Sequence, residues 1–143
     1  MSNAILGYGA KLQRNGGAGL ADIAEVLKFG GPTMKVGQVD VTHLQSPDAW
    51  AEFIAGVADG GLVTAEVNFL PTDNTQNLNG LLKDIYTQPR PVRGYAILFP
   101  PTASPTTWSF NAFIVDWSVL EVSPTGQLKA QIAFKVTGKP TLA

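Results

Sequence analysis

The stretch QLKAQIAFKVT, residues 127–137, alternates between apolar and polar side chains almost without exception. A period of two is typical of a β-strand that buries one face and exposes the other to water. The face predicted to be buried carries Leu128, Ala130, Ile132, Phe134 and Val136. The stretch therefore predicts a core strand, from which the rest of the chain can be interpreted outward.

Other regions of the sequence also predict β-strands, and they differ in which faces are apolar. Residues 62–70 alternate in the same way, whereas residues 92–99 are apolar on both faces, which is typical of a strand covered on both sides. Residues 108–122 change phase along their length, so we expect a β-bulge near residues 112–114. Weaker strands are predicted at residues 8–14, 23–29 and 33–41.

Two stretches show the i, i+3, i+4, i+7 spacing of amphipathic helices instead. One lies at residues 73–86, where Asp73 and Gln76 have the spacing of a capping box. The other lies at residues 47–58 and begins at Pro47, a favoured first helical residue. Its apolar stripe would consist of Trp50, Phe53, Ile54 and Val57.

Together these patterns predict a mainly β fold, a β-sandwich or partial barrel of six or seven strands. One α-helix at about 75–86 is expected to flank it, and a long inter-strand loop at about 40–60 is expected to have helical character. A length of 143 residues suits one domain with a substantial core. We therefore expect a single domain over residues 1–143, with a flexible arm at residues 1–6.

Composition narrows the classes of function. The chain has 10 basic and 11 acidic residues, which argues against a polybasic nucleic-acid or membrane-surface protein. The absence of cysteine excludes disulfides and cysteine-based metal sites. No apolar run approaches the roughly 20 residues that cross a bilayer, so we expect no membrane anchoring.

No cluster of residues in the sequence predicts catalysis or metal binding. His43 is the only histidine. Apart from Asp40 and Thr42, the neighbouring sequence offers no metal ligand and no nucleophile that could act with it. The acidic residues are scattered singly, although the sequence leaves open that two of them meet in space. Gly7 and Gly9 lack the third glycine and the helix of a nucleotide-binding fingerprint. We therefore expect no enzyme activity, no metal and no cofactor.

Short segments spread over nearly the whole chain carry a resemblance to a known family. They are IAEV (23–26), GGP (30–32), DVTH (40–43), SPD (46–48), FIAG (53–56), DGG (59–61), EVNF (66–69), LL (81–82), FP (99–100), WSFNAF (108–113) and KVTGKP (135–140). None is a specific motif. In their order and spacing, they resemble the major tail tube proteins of long-tailed, non-contractile bacteriophages, the lambda-like tail tube family. The type VI secretion tube protein shares the fold of that family.

The resemblance implies a structural virion protein that is assembled in the host cytoplasm. Six copies would close into a ring through strands that form an inner barrel, and rings would stack into a tube around a tape-measure protein. The implied partners also include tail tip or baseplate and tail terminator proteins. DNA is expected to pass through a neutral to acidic lumen, on its way into the host, without sequence-specific binding. The chain ends soon after Pro140, so we expect no immunoglobulin-like C-terminal domain.

The segment between the strands at 33–41 and 62–70 is the expected ring-stacking element. About twenty residues join two strands that a hairpin would connect in two to five. Its expected contact residues are Asp40, His43, Asp48, Trp50, Phe53, Ile54 and Val57. The alternative is that its apolar stripe covers the chain's own sandwich. Residues expected on ring-closing strands are Val63, Val67, Phe69, Trp108 and Phe110.

Two other functions stay open on the sequence alone. A terminator, connector or baseplate ring protein of the same fold would form one ring instead of a stack. A monomeric β-sandwich binding module, for instance for carbohydrate, would carry an exposed aromatic platform. A helical array of indefinite length would separate the tube subunit from both.

Overall fold

The structure is a computed structural model that describes residues 2, 4–17, 19–100, 106–120 and 122–143. These residues contain nine strands and one α-helix. The strands are β1 (Lys11–Asn15), β2 (Leu20–Asp22), β3 (Val26–Gly30), β4 (Lys35–Asp40), β5 (Phe53–Asp59), β6 (Leu62–Asn68), β7 (Arg93–Phe99), β8 (Thr106–Val119) and β9 (Lys129–Leu142). The helix is α1 (Leu81–Tyr86), and a 3-10 turn at Pro47–Ala49 lies between β4 and β5.

Seven strands form one antiparallel sheet in the order β2-β1-β7-β8-β9-β6-β3. Strands β4 and β5 pair with each other in a separate hairpin. The sheet is open, with β2 and β3 at its edges, and does not close into a barrel. The predicted mainly β class with one flanking helix is confirmed. The structure has two strands more than the predicted seven. One is the three-residue strand β2, which the sequence did not predict, and the other is β5, which was expected to be helical.

The hydrophobic core lies on the face of the sheet that the alternating sequence predicts. From β9, Ala130, Ile132, Phe134 and Val136 are buried, as expected from the stretch at 127–137. Strand β6 contributes Val63, Ala65 and Val67, and the ring of Tyr95 on β7 packs on Phe134 with centroids 4.7 Å apart. Consecutive burial of Tyr95, Ala96 and Ile97 confirms that β7 is covered on both faces.

Strand β8 changes phase two residues later than predicted. Phe110, Ala112 and Ile114 are all buried, so alternation continues through the expected bulge at 112–114. Ile114 then pairs with Phe134 of β9, but Asp116 pairs with the adjacent Ala133. The residue between them is therefore the extra residue of a β-bulge, which reverses the direction of the side chains that follow it.

The helix is shorter than predicted and begins at Leu81. Residues 73–80 form turns, and the expected capping box is absent. The side chain of Asp73 accepts a hydrogen bond from the Thr75 backbone N–H at 2.8 Å. The Gln76 side chain is fully buried and bonds to the backbone of residues 24, 68 and 70. Gln76 therefore fastens a loop to the sheet edge and is not available to cap a helix.

The helix predicted at residues 47–58 is wrong. Only the 3-10 turn Pro47–Ala49 has helical character, and the chain then runs extended as β5. In the middle of a helix Gly56 would cost about 1 kcal/mol relative to alanine. In the hairpin Gly56 lies directly against Gly37, where a Cβ would meet the opposite backbone at 3.3 Å.

Candidate assembly surfaces

The β4–β5 hairpin projects from the sheet with neither of its faces covered. Every residue of both strands is exposed, although the hairpin carries large apolar side chains. These side chains are Val36, Val39, Phe53, Ile54 and Val57. An isolated two-stranded hairpin is at best marginally stable in water. The hairpin is therefore a surface that gains stability when another molecule covers it.

The root of the hairpin is fixed to the sheet by close backbone approach. Gly61 has φ +74, and a Cβ on it would overlap the carbonyl oxygen of Thr33. A Cβ on the neighbouring Gly60 would lie 2.6 Å from Val136 Cγ1. The Lys135 ammonium donates to Asp59 Oδ1 at 2.6 Å across the same junction. The root is therefore a defined geometric feature, and only glycine fits at its tightest position.

Hydrogen bonds hold the hairpin tip, residues 41–52, in one conformation. Ser46 Oγ accepts from the His43 N–H at 3.0 Å and donates to Glu52 Oε2 at 2.7 Å. His43 Nδ1 lies 2.9 Å from the same hydroxyl. Thr42 Oγ1 accepts from the Glu52 N–H at 2.8 Å, which ties the two arms together. The tip therefore has a hydrogen-bonded structure of its own, and His43 contributes to it through its contacts with Ser46.

The tip presents apolar side chains to solvent. Leu44 is fully exposed and Trp50 is 75% exposed. Between them Asp48 and Ala49 take the left-handed backbone conformation, with φ values of 53° and 61°. Such residues each cost on the order of 1–3 kcal/mol and are concentrated at functional sites. The chain thus maintains a strained turn that displays apolar groups without a partner.

A groove runs beside the hairpin root, between the base of the hairpin and the end of β9. We call it the root groove, and its volume is about 1090 Å³. Its apolar lining consists of Met34, Val36, Val57, Val136 and Pro140, and its charged lining of Lys35, Asp59, Lys135 and Lys139. With three lysines and one aspartate, the groove carries a positive balance of charge.

A buried ion cluster fastens α1 to the sheet. Asp84 accepts hydrogen bonds from Arg14, Arg93 and the Tyr95 hydroxyl. Burial opposes the charge of Arg14, but the hydrogen bonds and the attraction of Asp84 outweigh it and raise the pKa of Arg14. Burial also raises the pKa of Tyr95 far above its usual value, and the Asp84 carboxylate adds to this effect. The cluster uses its charges for structure and does not resemble a catalytic centre.

All seven residues predicted to stack rings lie on the hairpin. Asp40, Phe53, Ile54 and Val57 are on its strands, and His43, Asp48 and Trp50 are at its tip. The alternative that the apolar stripe covers the chain's own sandwich is wrong, because all four of its side chains are more than half exposed. Sequence reasoning missed Leu44 and the two valines of β4. An apolar residue in the polar stretch HLQSPD at 43–48 was the available signal.

The residues predicted to close the ring lie inside the subunit. Val63, Val67 and Phe110 are buried in the core, and Phe69 and Trp108 pack against it. Strand β6 is paired to β9 and β3, whereas β8 is paired to β7 only as far as Ala112, so its residues 113–119 have a free backbone edge. Among the described residues, β2, β3 and residues 137–142 of β9 also have an unpaired side. A contact that extends the sheet can use any of these edges, including the second half of β8.

Among the described residues no group of three or more His, Asp or Glu side chains is arranged to hold a metal ion. In the same part of the chain, no helix is long and apolar enough to cross a membrane.

Comparison with known proteins gives a family match over most of the chain. The family model described as "Lambda phage tail tube protein, TTP" matches residues 9–143. No match was found among curated proteins.

Solved structures share the fold at low sequence identity. A chain from the tail of an empty GTA particle, refined helically with C6 symmetry, has a TM-score of 0.75 at 18% identity, covering 98% of this chain and 99% of that chain. A chain from the sheath–tube complex of the extracellular contractile injection system PVC has a TM-score of 0.73 at 12% identity, covering 99% and 92%. One from the sheath/tube terminator of that system has a TM-score of 0.75 at 12% identity, covering 99% and 98%.

Proposed function

Because the chain belongs to the lambda phage tail tube protein family, we propose that six copies close into a ring and that the rings stack into the tube of a phage tail. The protein is a structural component of the virion tail. In the assembled tail the tube surrounds a tape-measure protein and later conducts the genome into the host. The uncovered apolar hairpin is the observation that carries the proposal, since it requires a partner and the chain supplies one in each further copy.

The hairpin is the ring-stacking element in this proposal. Its tip projects away from the sheet on a ribbon whose root is locked by Gly61 and by the Lys135–Asp59 ion pair. Exposed apolar groups on a projection with a fixed root favour a defined contact with another subunit over non-specific collapse. The contact residues are the seven predicted from the sequence, together with Leu44.

Ring closure in this proposal uses the edges of the seven-stranded sheet. Residues 113–119 of β8 pair only with β9, and a strand of the next copy added at their free edge would continue the sheet around the ring. Strand β2 has only three residues, and such short edge strands limit pairing with another chain. Strand β8, which carries Trp108 and Phe110, would then lie at the contact between copies, while β6 lies inside the sheet between β9 and β3. The C6 symmetry of the GTA particle tail, whose chain has the same fold, supports a ring of six.

The charges of the chain suit a conduit that does not retain DNA. Lysines at 11, 28, 129 and 135 lie within 4 Å of carboxylates of the same chain. Paired lysines neutralise few phosphates, so counterion release contributes little to DNA affinity. We therefore expect a neutral to acidic lumen and no sequence-specific binding.

A single-ring tail protein is the second candidate function. The likeness to the PVC terminator chain is as close as the likeness to the GTA tail chain, with a TM-score of 0.75 in both cases. A terminator, connector or baseplate ring subunit would form one ring that contacts different proteins on its two sides. A tube subunit instead contacts another copy of the same ring on both sides, so its two faces carry the two complementary surfaces of one repeated interface. In both cases tail tip or baseplate and terminator proteins are partners.

Electron microscopy of the concentrated protein tests the proposal, both alone and produced together with the tail-tip proteins of the same particle. Tubes of stacked sixfold rings are expected in at least one preparation. Single rings in both preparations would favour the terminator-like function. A chain that remains monomeric in both, or a ring number other than six, would overturn the proposal.

A shortened tip separates ring closure from ring stacking. Asp40 and Phe53 are directly paired, so Asn-Gly in place of residues 41–52 gives a two-residue hairpin turn. The variant should fold and still form rings, because the edges of the sheet are unchanged. Stacked tubes of normal length from this variant would show that the hairpin tip is not needed for ring stacking.

A further inference from the structure

The hairpin tip and the root groove are complementary in both charge and polarity. The tip, residues 41–52, contains Asp48 and Glu52 and no lysine or arginine. The root groove has three lysines against one aspartate. Each surface also has an apolar centre, with Leu44 and Trp50 on the tip. The groove matches this centre with its methionine, valine and proline side chains.

The tip cannot reach the groove of its own subunit. The groove lies at the root of the same hairpin, where Lys35 begins β4 and Asp59 ends β5. At about 3.3 Å per residue, the six residues of β4 carry the tip roughly 20 Å away from that root. The hydrogen-bonded ribbon would have to break before the tip could fold back. Any tip that enters a root groove must therefore come from a second copy of the chain.

The contact joins two different surfaces, and this determines what it can build. In an interface between unlike surfaces, each series of linked subunits ends with one unoccupied tip and one unoccupied groove. Such contacts continue without limit unless a rotation closes them. That property matches a stack of rings and does not match a twofold dimer.

We infer that the root groove is the receptor for the hairpin tip of a subunit in the adjacent ring. Trp50 fills the apolar part of the groove, while Leu44 and Asp48 lie beside Lys139 at its rim. The inference rests on the proposed function, since it requires rings that stack. It adds the receiving surface, which neither the sequence nor the fold comparison identifies.

Disulfide cross-linking tests the inference directly, because the chain has no cysteine of its own. The variant Leu44→Cys/Lys139→Cys changes two exposed residues, one on each proposed surface. Oxidised assemblies should give a ladder of covalent multimers on a non-reducing denaturing gel, because every subunit has one tip and one groove. Each single-cysteine variant should give at most a dimer.

The matched control is Leu6→Cys/Lys139→Cys. It tests the other exposed apolar segment of the chain, in which Leu6 is 78% exposed. A ladder from this pair, or stacked tubes from the Leu44→Cys/Lys139→Cys variant without a ladder, would overturn the inference while the proposed function stands. Absence of tubes from the unsubstituted chain would instead overturn the proposed function.

Charge reversal gives a second test that does not depend on cysteine geometry. Asp48→Lys or Lys139→Glu alone should raise the protein concentration needed for tube formation by roughly tenfold, because like charges then face each other. The double variant Asp48→Lys/Lys139→Glu restores opposite charges at every contact and should return to within about threefold of the original concentration. A double variant that assembles no better than the weaker single variant would contradict the pairing.

Discussion

Asp84 and Arg14 form a bidentate ion pair inside the protein, with Arg14 Nε 2.8 Å from Oδ2 and Nη2 2.6 Å from Oδ1. The pair joins the single helix to β1. Arg93 adds a third charged hydrogen bond at 3.1 Å, so one carboxylate serves two guanidinium groups. The Asp84 side chain is only 1% exposed. The position of α1 on the sheet therefore depends on this buried charge together with Leu81, which is fully buried in the core.

Asp84→Asn should lower the free energy of unfolding by about 3–5 kcal/mol, because it leaves two partly buried guanidinium groups without a counter-charge. Urea denaturation followed by tryptophan fluorescence measures the change. The control is Asp116→Asn, which alters an exposed carboxylate and should stay within about 0.5 kcal/mol of the original chain. A loss below about 1 kcal/mol for Asp84→Asn would show that the cluster does not hold the helix.

This cluster is a part of the structure that sequence reasoning could not predict. Arg14 and Asp84 are separated by 70 residues along the chain. Each alone has the appearance of an ordinary surface charge, and only the packing of the helix brings them together. Strand β9 is the opposite case. Its alternation records burial on one face, so its core residues were predicted correctly from the sequence.

The hairpin shows why the same reasoning failed at residues 47–58. Period-two alternation arises from burial on one face, and β5 is buried on neither face in the subunit. Apolar residues at positions 50, 53, 54 and 57 then imitate a helical stripe. The prediction that this segment carries contacts between rings came from its length and from the family resemblance. That prediction stays open to the experiments described above.

Gly61→Ala should destabilise the protein by about 3 kcal/mol or more. A side chain at this left-handed position costs on the order of 1–2 kcal/mol, and here the added Cβ also overlaps the backbone of Thr33. Gly138→Ala is a matched control, because Gly138 has φ +80 but no atom within 4 Å of the added Cβ. It should cost only the conformational part, about 1 kcal/mol. Equal losses for the two variants in thermal unfolding would mean that the hairpin root is not sterically locked.

The root ion pair predicts a local response to acid. The hydrogen bond from Lys135 and the one from the Gly61 N–H hold the pKa of Asp59 below its usual value near 3.9. A lowered pKa in the folded state means that the pair stabilises the root above about pH 4. This contribution is lost as the pH falls through the lowered pKa. In an NMR titration Asp59 should therefore titrate below the ordinary range, and Lys135→Gln should move it back up. A normal Asp59 titration in the unsubstituted chain would contradict the predicted ion pair.

The last prediction separates what the hairpin does for folding from what it does for assembly. Val39 and Ile54 are directly paired across the hairpin and are 48% and 56% exposed. Replacing both with threonine keeps their β-branched shape and removes apolar surface that the monomer does not bury. The free energy of unfolding should stay within about 0.5 kcal/mol, while tube formation is lost or needs a much higher protein concentration.

Ile132→Thr makes the same chemical change at a fully buried position and should cost about 2–4 kcal/mol through an unsatisfied hydroxyl and lost packing. Denaturant unfolding and electron microscopy of the same preparations give both readouts. Normal tubes from the Val39→Thr/Ile54→Thr variant would mean that these side chains make no contact between subunits.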